Sequence, residues 1–364
     1  MRRLSALALS GALAASMLAT FAAPVAATSC TPTGYVKDGI NLTAALIDPT
    51  SPVTGEVDAT GCNIGVYFGS GTGLVRDADI HGANYFGVVV NGARVDITDS
   101  AVHDIGETPF NGTQHGNAIY YAYGSTSSGK VSENRVWNYQ KGGIVASGSG
   151  VSVTVSENMV TGFGPVTFIA QNGIQVSYGA RAVVEDNRVS ANQYAPQTWA
   201  SAGILLYQAG AVTVTDNRVT SNDVGIYAVG TDDGVTIEDN DVSGSTFDGI
   251  TFDTATGGRI TGNRAHENGT TGGPGIGLYG TTGATVSENA AWGNSMDGIF
   301  VDGGSTANVL EENKAHGNTG FDCEDGSTGA GTAGTANAWN DNRGATSSPA
   351  GLCTQASGDD HSHD

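Results

Sequence analysis

Two short stretches, Phe247-Asp-Gly-Ile-Thr-Phe-Asp253 and Met296-Asp-Gly-Ile-Phe-Val-Asp302, set four carboxylates at equivalent places in one pattern. Paired carboxylates can cleave a glycosidic bond, one as acid and the other as base or nucleophile. They are also the hard oxygen ligands that Ca2+ prefers, and they are ordinary surface residues at strand ends. If each stretch belongs to one turn of a stacked strand array, Asp248 and Asp297 lie two strand spacings apart, roughly 9–10 Å. That is the upper edge of the separation that leaves room for a water in an inverting hydrolase. Asp253 and Asp302 are related in the same way.

A lyase or epimerase needs a base for the proton alpha to a uronate carboxyl, and a charge to neutralise that carboxyl. Lys141, just before the Gly142-Gly143 pair, and His115, at the end of the longest insertion, are the candidate bases; each is also readable as incidental. Asp248 and Asp253 would then hold Ca2+ against the substrate. Tyr120, Gln175, Tyr207 and Tyr227 fall at outward strand positions and Trp199 in an inserted loop, where they suit stacking on sugars and hydrogen bonding to them. Tyrosine is equally a good strand residue. His81, His103, His266 and His316 share a repeat position with Trp137 and Trp292, which marks a structural column.

These side chains need a scaffold, and the scaffold repeats. "VTVSENMV" at 153–160 returns as "AVVEDNRV", "VTVTDNRV" and "VTIEDNDV", giving the series Asn134, Asn158, Asn187, Asn217, Asn240, Asn263, Asn289 and Asn313. Weaker equivalents stand at Ala78 and Ser100, and Asn342 closes the series. A Gly-Ile pair opens a strand before most of them, and the distance from that Gly to its Asn is always 14 or 15 residues. From the Asn to the next strand opening the distance runs from 8 (Asn217 to Gly225) to 18 (Ser100 to Ala118). A unit of about 23 residues cannot bury an apolar face alone; stacked coil on coil, it can. An Asn inside an apolar run must find partners, and the Asn above and below supply them.

All the length variation sits in one connection, so the insertions 103–117, 161–172, 190–202 and 266–274 project from one edge. The acid before each Asn (Asp77, Asp99, Glu133, Glu157, Asp186, Asp216, Asp239, Glu288, Glu312) forms a column of its own. We read that column as a solvated structural edge, offset by the Arg or Lys that often follows the Asn.

The phrase N-x-V-x-x-N-x-x-G-I, as in "NRVTSNDVGI" at 217–226, resembles the right-handed parallel β-helix repeats of the pectate-lyase-like carbohydrate-binding proteins and sugar-processing enzymes. The resemblance covers about residues 63–345. It implies an all-β chain forming a single right-handed parallel β-helix of about ten coils, with an inward Asn ladder and capped ends. It also implies that a polysaccharide lies in a groove bordered by the loops that precede the first strand of each coil. The site is then expected on the Gly-Ile strand face between Tyr120 and Asp253. Specific signatures are missing: there is no Tyr-Gly-Phe-Asp-Pro-His, no Gly-His-Gly and no Arg-Ile-Lys.

The chain opens with Met1-Arg-Arg, an Ala/Leu-rich run and a small-residue stretch. That is a secretory leader over 1–27, with cleavage after Ala27. A lipid anchor on Cys30 is the weaker alternative, because its lipobox match is poor. An exported chain meets oxidising conditions, so proximity pairs Cys30 with Cys62 and Cys323 with Cys353. Residues 28–62 are expected to cap one end, 63–319 to form the solenoid, 320–353 to make the last coil and second cap, and 354–364 to be a disordered acidic tail. With 15 basic against 36 acidic residues and a net charge of −21, nucleic-acid binding is excluded. No membrane partner and no organic cofactor are expected, and the chain is expected to be a monomer.

The expectation is a secreted carbohydrate-active protein, with a polysaccharide lyase favoured over an inverting glycoside hydrolase. The other reading is a non-catalytic polysaccharide-binding or cell-surface protein.

Overall fold

In the computed structural model, residues 25–26 and 29–355 are described. The expected leader, apart from a two-residue strand Val25–Ala26 paired with Val57–Asp58, lies outside them, as does the tail from 356. On the expected cleavage, that short strand leaves with the leader.

The coil through 224–243 shows how the repeat folds. Val224–Val229, Val235–Glu238 and Asp241–Ser243 are three short strands, and their alternation turns Ile226, Ala228, Val235, Ile237 and Val242 into a fully buried core. The next coil stacks in register: Ile226 on Ile250, Ile237 on Ile260, Val242 on Ala265, all parallel. Repetition gives three ladders. The Gly-Ile strands form a fourteen-stranded sheet, and the other two ladders share a twenty-two-stranded one, joined through the long strand Thr72–His81.

The tight turn between the second and third strands carries the Asn. From Asn134 to Asn342 each side-chain amide donates to the next Asn Oδ1, as in Asn158 to Asn187 at 2.9 Å and Asn313 to Asn342 at 2.8 Å. The same Oδ1 also accepts from the preceding Asn backbone N–H, so every buried amide is satisfied. Ser100 and Ala78 continue the column: Ser100 N–H donates to Asn134 Oδ1, and Ala78 N–H to Ser100 Oγ.

The acid before each Asn is exposed and sits in the left-handed region, from φ 50° at Asp99 to φ 61° at Glu133. Gly262 takes that place in its coil at φ 67°. The turn therefore requires positive φ, which explains why so many of these positions are Asp. A second ladder runs beside the first through Asn192, Asn222, Asn268, Asn294 and Asn318, with Ser245 filling one rung. Its residues were visible as the second Asn of the repeat phrase.

Both disulfides pair as expected, Cys30–Cys62 and Cys323–Cys353, with Cα separations of 5.4 and 6.2 Å. The solenoid begins earlier than residue 63. Ile40–Ile47 already stacks in parallel on Ile64–Phe68, and Val53–Asp58 on Thr72–His81. These first strands carry no ladder Asn, so the repeat pattern did not reveal them. Thr31–Lys37 is the antiparallel member of its sheet and turns back on Ile40–Ile47 as a hairpin. The His/Trp column is stacked on the outside of the third ladder, as in His103 on Trp137 at 4.3 Å and His266 on Trp292 at 4.5 Å.

Candidate active site

The inserted loops are held at their roots by buried polar side chains that the repeat pattern did not single out. Gln140 Oε1 accepts the Glu107 and Asn111 N–H groups, and its Nε2 donates to the Thr113 carbonyl. Gln171 accepts the Phe163 N–H. Asp223, fully buried, accepts the N–H groups of Tyr194 and Ser201 and the Thr246 hydroxyl. The loops are thus anchored at their roots along one side of the Gly-Ile sheet.

The outer face of that sheet is closed at its N-terminal end. Ile64, Tyr67, Phe86, Val89, Tyr120 and Val145 form a second apolar cluster with Leu42 and Ala44 of the hairpin. Tyr35 stacks on Tyr67 with ring centroids 6.2 Å apart and packs against the cluster that contains Tyr120. Tyr120 is therefore not a groove residue; it is buried because the hairpin folds over it. His115 is buried too. It stacks on Tyr85 with ring centroids 3.7 Å apart, and Glu107 holds its Nε2 at 2.8 Å, so it locks the root of its own loop. Lys141 donates to the Ala170 carbonyl at 2.7 Å, and burial lowers its pKa to about 8. It adjoins Gly142, which is four ladder steps from Asp248, roughly 19 Å. Lys141 and Asp248 cannot serve one reacting carbon.

Farther along, the groove opens. Gln175 is half-buried and bonded to Asn172 and Ser177, and Tyr207 packs edge-on against Tyr178. A cleft of about 360 Å³ follows, lined by Gln197, Trp199, Tyr227, Phe247, Asp248, Thr251, Asp253 and Tyr279 among others. Trp199 is 70% exposed at its rim. Asp248 lies at the floor, its Oδ2 accepting the Thr251 hydroxyl at 2.7 Å. Burial raises its pKa to about 6 against the pull of the Thr251 and Tyr279 hydroxyls, and the Asp253 charge raises it further. Asp253 accepts the Tyr227 hydroxyl at 2.8 Å. Burial and the same carboxylates push both tyrosines well above the ordinary phenol range.

Asp297 does stand two coils beyond Asp248. It is buried, however: its Oδ1 accepts the Phe321 N–H at 2.6 Å, and burial and the Asp297 charge raise the pKa of neighbouring Glu324. That oxygen is committed to the wall of the last coil. Asp302 holds a turn, accepting Gly304 N–H and the Ser305 hydroxyl.

Asp248 and Asp253 each accept a hydroxyl bond, and among the described residues no group of three or more His, Cys, Asp or Glu is arranged to hold a metal. None of the residues lining the cleft is Lys, Arg or His. A larger cleft of about 530 Å³ lies outside the groove, walled by Phe110, Phe163 and Phe168. Its two carboxylates are engaged, Asp104 with His103 and Glu107 with His115.

Comparison with known proteins agrees with this architecture. No curated protein matches the chain in sequence. Among solved structures, the Dettilon tailspike protein is 17% identical, with a TM-score of 0.53 over 73% of this chain; the match spans 58% of the tailspike's length. A doubly substituted variant of the periplasmic alginate epimerase AlgG is 13% identical, with a TM-score of 0.58 over 78% of this chain and 70% of that one. At such identities the likeness is one of fold. The family description "Right handed beta helix region" matches residues 54–203 and 202–353. The chain belongs to the right-handed parallel β-helix family.

Proposed function

We propose that this protein is an exported, carbohydrate-active enzyme that hydrolyses a neutral glycan in the open half of its groove. Asp248 acts as the acid and Asp253 as its partner carboxylate. One observation carries the reading: a buried aspartate raised to about 6 shares a Trp- and Tyr-lined cleft with a second carboxylate. A carboxyl kept protonated near neutral pH can give its proton to a leaving glycosidic oxygen. Asp253, held by Tyr227, is placed to polarise a water or to take the glycosyl carbon. Trp199 and Tyr227 offer ring faces to sugars.

The favoured lyase reading of the sequence loses its support at the same place. A polyuronate would bring carboxylates into a cleft lined by Asp248 and Asp253, with no cation among its lining residues. The candidate bases Lys141 and His115 are each tied to a loop root. The fold of a tailspike and of an alginate epimerase is consistent with a carbohydrate-acting role, and the two disulfides support export. No helix of the described residues is long and apolar enough to cross a membrane.

The test is a panel of linear neutral glycans (glucan, mannan, xylan, galactan and fructan) beside polygalacturonate and alginate. New reducing ends and unsaturated-uronate absorbance are both followed. Reducing ends from a neutral glycan, lost in Asp248→Asn, support the proposal. Uronate absorbance from either acidic polymer overturns it.

A further inference from the structure

We infer that the groove is a closed-ended run of sugar subsites, so that the enzyme works from a chain end and releases an oligosaccharide of set length. This rests on the hydrolytic reading above and deepens it.

The wall is the hairpin of Thr31–Lys37 and Ile40–Ile47. Tyr35 reaches from it to Tyr67 and Tyr120, and the sheet face beneath, from Ile64 to Val145, is buried. No sugar can lie there while the hairpin is seated. The outward column then runs, in strict register, Val145, Gln175, Leu205, Tyr227, Thr251. Val145 is the last member under the wall, and Thr251 is the residue that holds Asp248. Four steps of ~4.8 Å give roughly 19 Å, room for about four sugar rings at one ring per strand spacing.

An aromatic row follows the same interval on the rim opposite the inserted loops. Tyr123, Tyr178 and Tyr207 touch edge to face, at 5.7 and 5.4 Å between ring centroids. Tyr123 is 62% and Tyr178 49% exposed. Tyr207 shares its column with Asp253, two steps farther on. The row thus leads from the walled end toward the acid pair, and one coil beyond Asp253 the same column carries Tyr279. Exposed tyrosines offering ring faces and hydroxyls suit a neutral sugar chain, whose axial C–H faces stack and whose hydroxyls bond. Three such rings in mutual contact on an otherwise acidic protein have no core to serve.

The full chain is incubated with whichever linear neutral glycan of the panel it cuts, and the products of the first few per cent of cleavage are sized by mass spectrometry. One dominant oligosaccharide of about four units, released while the polymer keeps most of its length, is expected. Tyr35→Ala, which loosens the wall, should broaden the product sizes. Tyr178→Ala should raise KM several-fold for the polymer with little change in kcat. A random ladder of product sizes from the unmodified chain overturns the inference and leaves the hydrolytic reading standing. Absence of cleavage across the whole panel removes both. If Tyr35→Ala fails to fold, the early product sizes of the unmodified chain decide alone.

Discussion

The Thr251 hydroxyl donates to Asp248 Oδ2 at 2.7 Å, across three residues of one coil. This contact keeps a buried carboxyl oriented toward the cleft instead of toward the core. Threonine is a good strand residue, so the same side chain builds the sheet and aims the acid.

Cleavage should fall as pH rises through about 6, the value to which burial raises Asp248. The stability effect has the same sign. The folded value lies above the ordinary aspartate value of 3.8, so the folded state binds the proton more tightly. Its stabilising contribution is complete below 3.8 and is lost as pH rises through about 6. Asp248→Asn should therefore be more stable than the unmodified chain at pH 8, by roughly 3 kcal/mol, and equally stable near pH 3.5. Urea titrations at the two pH values check this.

Asp253→Asn should reduce kcat by about 10²–10⁴-fold and leave the melting temperature nearly unchanged, because the residue is only half-buried. Tyr227→Phe removes the hydroxyl that holds Asp253 and should give a smaller loss, about tenfold, in kcat. Steady-state rates beside thermal melts separate the two effects.

Replacing Asn187 with Leu should cost about 2–4 kcal/mol. Its amide donates to Asn217, Val155 and Glu185, and its Oδ1 accepts from both nitrogens of Asn158. The substitution leaves buried polar groups on both neighbouring coils without partners. Equilibrium denaturation measures it; a change under half a kcal/mol would mean that the ladder is hydrated.

Prolonged dialysis against a chelator should leave cleavage unchanged, since the carboxylates of the cleft already accept hydroxyl bonds and form no cage. Rates before and after dialysis, with calcium added back, test this.

The period was legible in the sequence because it is local. The Gly-Ile pair, the V-x-V strand and the Asn recur at fixed offsets, and each rung of the ladder joins residues that the repeat itself aligns. The carboxylates of 247–253 were legible for the same reason. What was hidden depends on contacts that no period encodes. Tyr120 looks like an outward groove residue until Tyr35, 85 positions earlier in the chain, lies across it. His115 has the residue type of a base, but Tyr85 and Glu107 hold it in the loop root. Asp297 repeats the position of Asp248, yet the last coil turns the Phe321 N–H onto its Oδ1 and buries it. The acid column is solvent-exposed, as the sequence reading expects of an edge, and the positive φ that its turn requires shows only in the backbone.

The most direct test is the pH dependence of kcat/KM for release of reducing ends from a neutral glycan, measured on the unmodified chain and on Asp248→Asn. A basic limb with an apparent pKa of about 6, in the unmodified chain and at least 100-fold lower activity in the variant, is the expected result. Full activity in Asp248→Asn, or activity that appears only on a polyuronate, would contradict the assignment of Asp248 as the acid.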